Sequence, residues 1–464
     1  MSIDLYPLAE LVAEELVVFV VSTTGSGQEP RSMTPFWDML LRSDLPNDLF
    51  EDMIFTIFGL GDSAYEKFCW PAKKLHRRLL TLGAIELCEK GEGDDQHQLG
   101  LDGALIPWID TFLAALLDRF PFPLDAAILP ASLIPPSRIT LVRSDVRPNE
   151  NQTLPQNLPR MVTIRELLTR YVDFNAVPRR TFFQYLRYFI TDEREAEKLD
   201  EFLSPEGADE LYDYCFRVKR TIREIVSDFY HVSIPMDYIF DVFPPLRPRQ
   251  YSIASSIKEH PRQLHLCIAV VKYKTRLKIP RQGVCTSYMS NLRPGDQVIM
   301  GLQKGFFRLP PHEDVPVICI GPGTGVAPMR SLIEERIHKG STSNVLYFGC
   351  RSSTKDQHYE SEWRAYARLQ KMTYRTAFSR DVPEGTKRIY VQDLIQQDAE
   401  EIWKMVGQAG AWIYISGSSN QMPTAVKSAI KSAVERFGGY SSEDAVKYVE
   451  SMIQEGRLLE ECWS

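Results

Sequence analysis

The sequence lacks the closely spaced cysteine pairs that bind small metal centres. Its eight cysteines are scattered along 464 residues, and no two of them form a C-x-x-C pair. This spacing is typical of a protein kept in a reducing compartment, and it excludes a compact zinc or iron–sulfur motif. We therefore expect no metal site, and any redox chemistry must be carried by a bound organic cofactor.

An excess of basic residues and a long apolar run are also missing. The formal net charge is −7, whereas a nucleic-acid-binding protein would normally present a basic face. The apolar run at 16–21 has the length of a strand rather than of a membrane helix. Residues 1–15 lack the basic and apolar regions of a secretory signal. We therefore expect neither nucleic acid nor membrane as a partner, and a cytoplasmic protein, with mitochondrial or nuclear locations left open.

The most informative stretch of the chain is a strand, a glycine loop and a helix in succession. Residues 315–320 form a short, β-branched apolar run, which predicts a buried parallel strand. The loop 321–325 has three glycines that allow close approach of a ligand, and 327–339 has helical composition. Ordinary βα loops often share this glycine spacing, but Thr324 and Pro328 make the pattern narrower. Because a helix start attracts phosphate, we expect a dinucleotide pyrophosphate here.

The first 118 residues alternate between strand and helix patterns, which predicts a doubly wound sheet with its ligand beyond the carboxyl ends of the strands. Two strands, at 15–21 and 53–58, run into the glycine loops 22–27 and 59–65. The first loop lacks the lysine of a nucleotide P-loop, so ATP or GTP is not expected. We further predict helices at 73–82 and 107–117 and an acidic loop at 88–99.

Several side chains in these two loops suit a planar polar ring. Thr23, Thr24 and Ser63 could hydrogen-bond its edge, and Tyr65 offers a stacking face. Considered alone, Tyr65 is equally compatible with a half-buried structural position.

The middle of the chain is predicted to be a linker followed by helices. Residues 120–159 are proline-rich and aperiodic, with at most one strand at 138–142. Thr163 resembles an N-cap, with Glu166 three residues later. A stripe of Phe182, Phe183, Leu186 and Phe189 is more typical of a core than of a cofactor contact. The predicted helices are 165–172, 181–190, 193–202, 209–216 and 221–229.

Residues 247–300 change to an alternating pattern that predicts antiparallel strands at 250–254, 264–271 and 297–300. Between them, residues 283–287 open a helical segment and could form a second phosphate cradle. An arginine one strand away, Arg249, would complete such a site. Considered alone, Arg249 is equally compatible with a surface ion pair.

The last third of the chain favours NADP over NAD. Strands are predicted at 345–348, 373–378 and 412–416. Ser379 and Arg380 follow the second strand, and Lys387, Arg388 and Tyr390 come soon after. Such hydroxyls and cations suit a 2′-phosphate, whereas an NAD site would be expected to place an acid there. Trp463 could be incidental or could lie over a planar ring.

Taken together, these residues resemble the NADPH-dependent diflavin oxidoreductases, short soluble relatives of the microsomal cytochrome reductases. The similarity covers nearly the whole chain, with its motifs in the family's order. The motifs of the second half are RQYS at 249–252, GVCT at 283–286, GPGTGVAP at 321–328, FGCR at 348–351, SR at 379–380, YVQ at 390–392 and Trp463. Those of the first half are STTG at 22–25, LGDS at 60–63 and GDDQH at 93–97. VPRR at 177–180 and KLHRR at 74–78 point to this subfamily rather than to its larger cousins.

The resemblance implies an α/β multidomain fold. Its parts are a truncated flavodoxin-like doubly wound domain, a partial antiparallel FAD barrel with a helical insertion, and an NADP-binding α/β domain of the ferredoxin-reductase type. The expected boundaries are 1–118 for the flavodoxin-like FMN domain, 119–160 for the linker, 161–245 for the helical insertion, 246–312 for the FAD barrel and 313–464 for the NADP domain.

The resemblance also implies site residues for FMN, FAD and NADPH. The FMN site would comprise Ser22, Thr23, Thr24, Gly25, Leu60, Gly61, Asp62, Ser63, Ala64, Tyr65, Glu66, Lys67, Phe68, Cys69 and Asp95. FAD would be held by Lys219, Arg249, Gln250, Tyr251, Ser252, Gly283, Val284, Cys285 and Thr286, with Trp463 over its ring. NADPH would be held by Thr324, Ser379, Arg380, Arg388, Ile389, Tyr390, Val391 and Gln392. The expected catalytic residues are Ser252, Ser416, Glu461 and Trp463.

The chain departs from the family pattern in two main places. It begins part-way through the flavodoxin-like domain, without a counterpart of the first strand and its hydroxyl-rich phosphate loop. Near Asn151 the opening strands of the FAD barrel are also absent. In addition, Ser416 stands where relatives often have cysteine and Glu461 where they often have aspartate, although both substitutions retain a polar group.

The activity implied by the resemblance is electron transfer from NADPH to FAD, then to FMN, and then to an iron–sulfur protein of the anamorsin type in cytosolic iron–sulfur cluster assembly. The missing segments leave two alternatives open. One is a single-flavin NADPH reductase that serves artificial acceptors such as ferricyanide, and the other is a non-catalytic, partner-binding form.

Overall fold

The computed structural model describes residues 1–463 except 26, 124–129, 131–132, 140–160, 276–277, 382 and 384. Most of the predicted strand at 138–142, most of the linker and the departure near Asn151 lie outside the described residues.

The amino-terminal domain is built on a parallel sheet. Strand β1 (Leu16–Ser22) pairs with β2 (Ile54–Gly61), and β2 also pairs with β3 (Ile85–Glu86) and β4 (Gly91–Asp94). The expected strands and helices are therefore present, but the prediction of a loop throughout 88–99 is wrong. A Cβ atom at Gly91 would lie 2.3 Å from the Phe58 ring, so the glycines allow this segment to pair closely beneath aromatic side chains. The helices are α1 (Thr34–Leu40), α2 (Trp70–Thr81) and α3 (Asp102–Arg119).

One edge of this sheet is open. Within the described part of the chain, β1 pairs only with β2, and its Val18 and Val20 side chains are 41% and 64% exposed. Helix α3 has no buried residue. An exposed edge of unpaired backbone and β-branched side chains is what loss of a neighbouring strand would produce.

The middle of the chain is helical, and its core is confirmed. Thr163 caps α4 by accepting a hydrogen bond from the Glu166 amide at 3.2 Å. Phe182, Phe183, Leu186 and Phe189 are buried in one hydrophobic cluster. The predicted helix at 209–216 divides into a short α-helix and a π-helix, Tyr212–Phe216. The helices of this region are α4 (Ile164–Arg170), α5 (Arg180–Phe189), α6 (Glu193–Leu203), α7 (Ala208–Leu211), α8 (Ile222–Asp228) and α9 (Ile239–Val242).

The expected barrel is reduced to a small remnant. Its described residues form one antiparallel hairpin, β5 (Lys272–Lys274) with β6 (Pro280–Gln282), and one isolated bridge between Ile253 and Leu266. The predicted strands at 250–254, 264–271 and 297–300 are wrong, because a strand needs neighbours to pair its backbone groups. Ile299 is accordingly 99% exposed. The predicted helix start at Gly283 is confirmed by α10 (Val284–Asn291).

The carboxy-terminal domain has a five-stranded parallel sheet with helices on its faces. The strand order is β11-β10-β7-β8-β9, and the predicted strands β7 to β10 are confirmed. β11 was not predicted, because its pair Glu460–Glu461 hides the apolar pattern of an edge strand. The strands are β7 (Val317–Ile320), β8 (Asn344–Cys350), β9 (Thr373–Phe378), β10 (Trp412–Ser418) and β11 (Leu458–Trp463). The helices are α11 (Val326–His338), α12 (Glu360–Arg368), α13 (Val391–Gln397), α14 (Ala399–Trp403), α15 (Gln421–Gly438) and α16 (Ser442–Gln454).

A search of the described helices found none that combines the length and the apolar character needed to cross a bilayer.

A bidentate ion pair joins the helical region to the barrel remnant. Glu224, in the first turn of α8, accepts hydrogen bonds from Arg281 Nη1 at 2.9 Å and Nη2 at 2.8 Å. The same carboxylate accepts from the backbone N–H of Thr221 at 2.8 Å. The hydrogen bonds from Arg281 are the main reason that the pKa of Glu224 falls to about 2, despite the opposing effect of burial. Arg281 lies two residues before Gly283, so the pair fixes the start of α10.

We predict that Glu224→Gln lowers the free energy of unfolding by about 1–3 kcal/mol at neutral pH, because it removes a charge-assisted bidentate pair. A depressed carboxyl pKa stabilises the folded state above the ordinary value of 4.5 and ceases to do so as the pH falls towards about 2. The difference in the free energy of unfolding between Glu224→Gln and the parent should therefore become smaller as the pH falls from 4.5 towards about 2. Urea unfolding followed across pH measures it.

Glu166→Gln is a matched control, since Glu166 has the same place in a threonine-capped helix, but among the described residues it pairs only with the exposed Arg170. Equal destabilisation by the two substitutions would contradict a special contribution from Arg281.

Candidate functional site

Three loops meet at the carboxyl ends of β1, β2 and β4. The Thr23 amide donates to the Leu60 carbonyl at 2.8 Å, which joins the first loop to the second. Asp94 Oδ1 accepts from the Ser63 amide at 2.8 Å, which joins the second to the third. Burial pushes the pKa of Asp94 up, but the hydrogen bonds from Ser63 and Gln96 outweigh it and hold that pKa below its usual value.

The FMN residues expected from the sequence are thus brought together, with one difference. Asp94 links the second and third loops. The expected Asp95 is exposed, and its backbone N–H donates to the Gly61 carbonyl. Sequence reasoning missed Asp94, because the strand β4 that ends at this residue was predicted to be a loop. Of the other expected FMN residues, Cys69 is buried and the exposed ones are Thr24, Gly25, Ser63, Ala64, Glu66 and Lys67, while Ser22, Thr23, Leu60, Gly61, Asp62, Tyr65 and Phe68 are half-buried.

Two buried polar atoms in these loops indicate a ligand. Among the described residues, Thr23 Oγ1 and Asp62 Oδ2 are buried without a hydrogen-bond partner. Buried polar groups normally have hydrogen-bond partners. Two buried oxygens without a partner at the edge of a sheet therefore suit the polar rim of a flavin ring. The residues present therefore fit the ring of FMN.

The expected FAD residues form a cradle at the start of α10. A Cβ atom at Gly283 would lie 2.7 Å from Thr286 Oγ1, so only glycine fits at this turn. Thr286 Oγ1 in turn accepts from the Val271 amide at 3.1 Å. Tyr251 lies next to Cys285 of this group. Burial, and then the interaction with the Cys285 side chain, raise the pKa of Tyr251 to about 12. A glycine-started helix with free N–H groups suits a pyrophosphate, so the cradle fits FAD.

Other expected FAD residues lie around this cradle with partners of their own. Arg249 donates to the Arg247 carbonyl at 2.5 Å and lies 3.6 Å from Asp173. Gln250 donates to Gln303 at 2.9 Å. Lys219 is exposed with a φ of 52°, in the turn that precedes Thr221 and the Glu224–Arg281 pair. Val284 and Cys285 are half-buried, as is Ser252.

The glycine loop after β7 passes very close to β10. A Cβ atom at Gly325 would lie 2.0 Å from the Ser416 carbonyl oxygen, and Gly323 has a φ of 58°. The loop therefore requires glycine at both positions, for space and for conformation. Thr324 lies between them, and the free N–H groups of α11 follow directly. This geometry fits a dinucleotide pyrophosphate.

The expected 2′-phosphate residues collect at the ends of β8 and β9. The Ser379 amide donates to the Cys350 carbonyl at 3.0 Å. Lys387 is neutralised by Asp393 at 3.0 Å, whereas no ion pair in the described part of the chain includes Arg380 or Arg388. Two exposed, uncompensated guanidinium groups suit a phosphate. Ile389 and Tyr390 are exposed, Val391 is buried and Gln392 is half-buried at the start of α13.

Ser416, Glu461 and Trp463 come together on two neighbouring strands. In the β10–β11 register, Ser416 is opposite Glu461 and Ser418 is opposite Trp463. Ser416 is fully buried, and its Oγ has no hydrogen-bond partner among the described residues. Burial raises the pKa of Glu461, which Arg31 partly counteracts. Trp463 remains 40% exposed, so its ring is available to cover a bound ring. No hydrogen bond in the described ranges links Ser252 to these three residues.

Comparison with known families gives three successive matches. Residues 1–108 match the Flavodoxin family model, residues 136–288 the FAD binding domain, and residues 319–428 the Oxidoreductase NAD-binding domain.

Relatives that align with the whole of this chain share one name. The chain is 36% identical over 560 residues to NADPH-dependent diflavin oxidoreductase 1 of Danio rerio, 35% over 563 to that of Mus musculus, and 32% over 550 to that of Schizosaccharomyces pombe. Each alignment covers 100% of this chain and 94% of the relative. The sites described above fit the cofactors of such a protein, and the enzyme uses NADPH, FAD and FMN. The chain therefore belongs to the NADPH-dependent diflavin oxidoreductases.

Proposed function

We propose that this oxidoreductase passes electrons from NADPH through FAD and FMN to an iron–sulfur protein of the anamorsin type, in the assembly of cytosolic iron–sulfur clusters. The proposal includes a cytoplasmic location. It is supported by the resemblance of motifs such as VPRR at 177–180 to this subfamily and by the absence of any closely spaced cysteine pair that would make the chain its own iron–sulfur carrier.

The observation that carries the intramolecular part is the contact between the FMN loops and the carboxy-terminal domain. Tyr65 and Ser419 line the same cavity, and the Ser419 amide donates to the Trp463 carbonyl at 2.7 Å. Arg31, which follows the first loop, donates to the carbonyl of Lys304 in the barrel segment at 2.5 Å and acts on the pKa of Glu461 in the carboxy-terminal domain. A cavity of about 440 Å³ lies between the two domains. The loops for FMN thus adjoin the strand that carries Glu461 and Trp463, which suits electron passage between two flavins.

The same loops also face solvent. Asp95 is exposed, whereas Glu66 and Lys67 line the cavity towards the carboxy-terminal domain, so an acceptor protein can approach from the Asp95 side of the FMN site. In the proposed reaction the amino-terminal domain therefore has two neighbours, the carboxy-terminal domain as its donor and the iron–sulfur protein as its acceptor.

The residues of the carboxy-terminal domain orient the reactants. FAD, when bound, supplies hydride acceptance and release of single electrons. The Ser416 backbone lies against the Gly325 turn, and its buried hydroxyl has no partner among the described residues. This hydroxyl and that of Ser252 are proposed to orient the nicotinamide. Glu461 has a raised pKa because it is buried, so it holds a proton more readily than an exposed carboxyl. A positioned acid–base group of this kind typically contributes about 10²–10⁴-fold to the rate.

The direct experiment is anaerobic mixing of the enzyme, NADPH and a purified iron–sulfur protein of the anamorsin type, followed by the visible absorption of the cluster. We expect cluster reduction that requires both flavins. Rapid reduction of ferricyanide without cluster reduction would contradict the proposed acceptor and would favour the single-flavin alternative.

We also predict that Trp463→Ala changes the preference between NADPH and NADH. In the proposed mechanism the ring covers the flavin of FAD and moves aside for the nicotinamide, so its loss should raise NADH use by about tenfold or more relative to NADPH. Ratios of kcat/KM for the two nucleotides measure the effect.

Phe437→Ala supplies the control, because Phe437 is equally exposed, at 39%, on helix α15. A preference that stays the same in Trp463→Ala would count against a stacked tryptophan.

A further inference from the structure

A buried polar network joins helix α11 to the chain segment 254–256. Arg330 and Glu334 are 4% and 2% exposed, although both are charged. Their side chains pair at 2.7 Å. Each also reaches the backbone of the other segment. Arg330 Nη1 donates to the Ala254 carbonyl at 2.6 Å, and the Ser256 amide donates to Glu334 Oε2 at 2.8 Å.

The rest of the network completes the hydrogen bonding of these two charges. Arg330 Nε donates to Glu362 at 2.8 Å, and Nη1 lies 3.1 Å from His265 Nδ1. His260 Nε2 lies 3.2 Å from Glu334 Oε1. Buried charges are costly unless they are paired and hydrogen-bonded throughout. Removing either partner would therefore loosen the join between the segments.

The two joined segments belong to different cofactor sites. Residues 254–256 follow directly on 249–252, which are expected to hold FAD, and α11 follows directly on the loop 321–325, which fits the NADPH pyrophosphate. Because so few strands of the barrel remain, the segment at 254–256 has little sheet to hold it. Its main described sheet contact is the single bridge between Ile253 and Leu266, and the backbone bonds to α11 supply what the sheet does not.

A second buried arginine on the same helix shows what a purely structural role looks like. Arg336 is 3% exposed. It donates to Asn344 at 2.7 Å, to the Val315 carbonyl at 2.8 Å and to Ser341 at 2.6 Å. All of these partners lie within the carboxy-terminal domain, so Arg336 anchors α11 without touching the FAD side.

We propose that Arg330 and Glu334 are positioning residues, which set the distance and angle between the FAD-binding segment 249–256 and the NADPH-binding loop 321–325. The proposal deepens the proposed function and rests on it in one respect, namely that hydride passes between those two sites. Hydride transfer depends steeply on the placement of the two rings. The network should therefore act on the rate of transfer more than on the affinity for either cofactor.

The first test needs no cofactor. In Arg330→Met, amide hydrogen exchange in the full chain should accelerate over 254–266 and stay unchanged over 312–317. In the matched variant Arg336→Met, exchange should accelerate over 312–317 and stay unchanged over 254–266. Unchanged exchange over 254–266 in Arg330→Met would show that Arg330 does not hold this segment against α11 and would overturn the proposal, whether or not the protein reduces any acceptor.

The second test separates positioning from stability. With NADPH and ferricyanide, Arg330→Met should lower kcat by about 10–100-fold, with KM and bound FAD per chain within about twofold of the parent. Arg336→Met should lower the melting temperature but keep kcat per bound FAD. If Arg330→Met folds poorly, Glu334→Gln serves as a milder variant. Arg330→Lys keeps the positive charge, so its kcat should lie between those of Arg330→Met and the parent.

Two results would overturn the positioning role. One is an unchanged kcat per bound FAD in both Arg330→Met and Glu334→Gln, and the other is the same loss in Arg330→Met as in Arg336→Met. If the parent itself transfers no electrons, the proposed function fails instead. The exchange experiment still decides whether Arg330 holds the segment 254–256 against α11.

Discussion

The close approach of the glycine loop to strand β10 is the constraint on which the carboxy-terminal site depends. The backbone at Gly325 lies so near the Ser416 carbonyl that a Cβ atom would come within 2.0 Å of it. This contact sets the start of α11 against the end of β10, and the register of β10 with β11 then brings Glu461 opposite Ser416. Phosphate-binding N–H groups, a buried hydroxyl and a carboxyl of raised pKa are thereby assembled from segments far apart in the sequence.

The same logic operates at the amino-terminal sheet, where loops from parallel strands converge at one edge. Asp94 ties the loops together, and the buried oxygens of Thr23 and Asp62, which have no partner in the described part of the chain, are left for a ligand. Between the two sheets in the chain lies the barrel remnant, whose described residues form one hairpin. It is held from one side by Glu224 and Arg281 and from the other by Arg330 and Glu334. Side-chain ion pairs thus replace much of the backbone pairing that a fuller barrel would provide.

The sequence predicted features that are specified locally. Thr163 with Glu166 indicated a helix start, Gly283 indicated a cradle, and the run at 315–320 indicated a buried strand, because capping, φ freedom and β-branching act within a few residues. Features that depend on distant partners were missed. The barrel strands had alternating residues but lacked neighbours, and β11 depends on β10 rather than on its own pattern. Likewise, nothing local distinguishes Asp94 from Asp95, or Arg330 from Arg336, until the segments that they contact are known.

The alignments with the relatives extend over 550 to 563 residues, whereas this chain has 464, so the relatives contain segments without a counterpart here. Even without those segments, this chain is expected to bind two different flavins. Extraction of the purified full chain, followed by separation and quantification of its flavins, tests this most directly. We expect one FMN and one FAD per chain. FAD without FMN, or neither flavin, would contradict it.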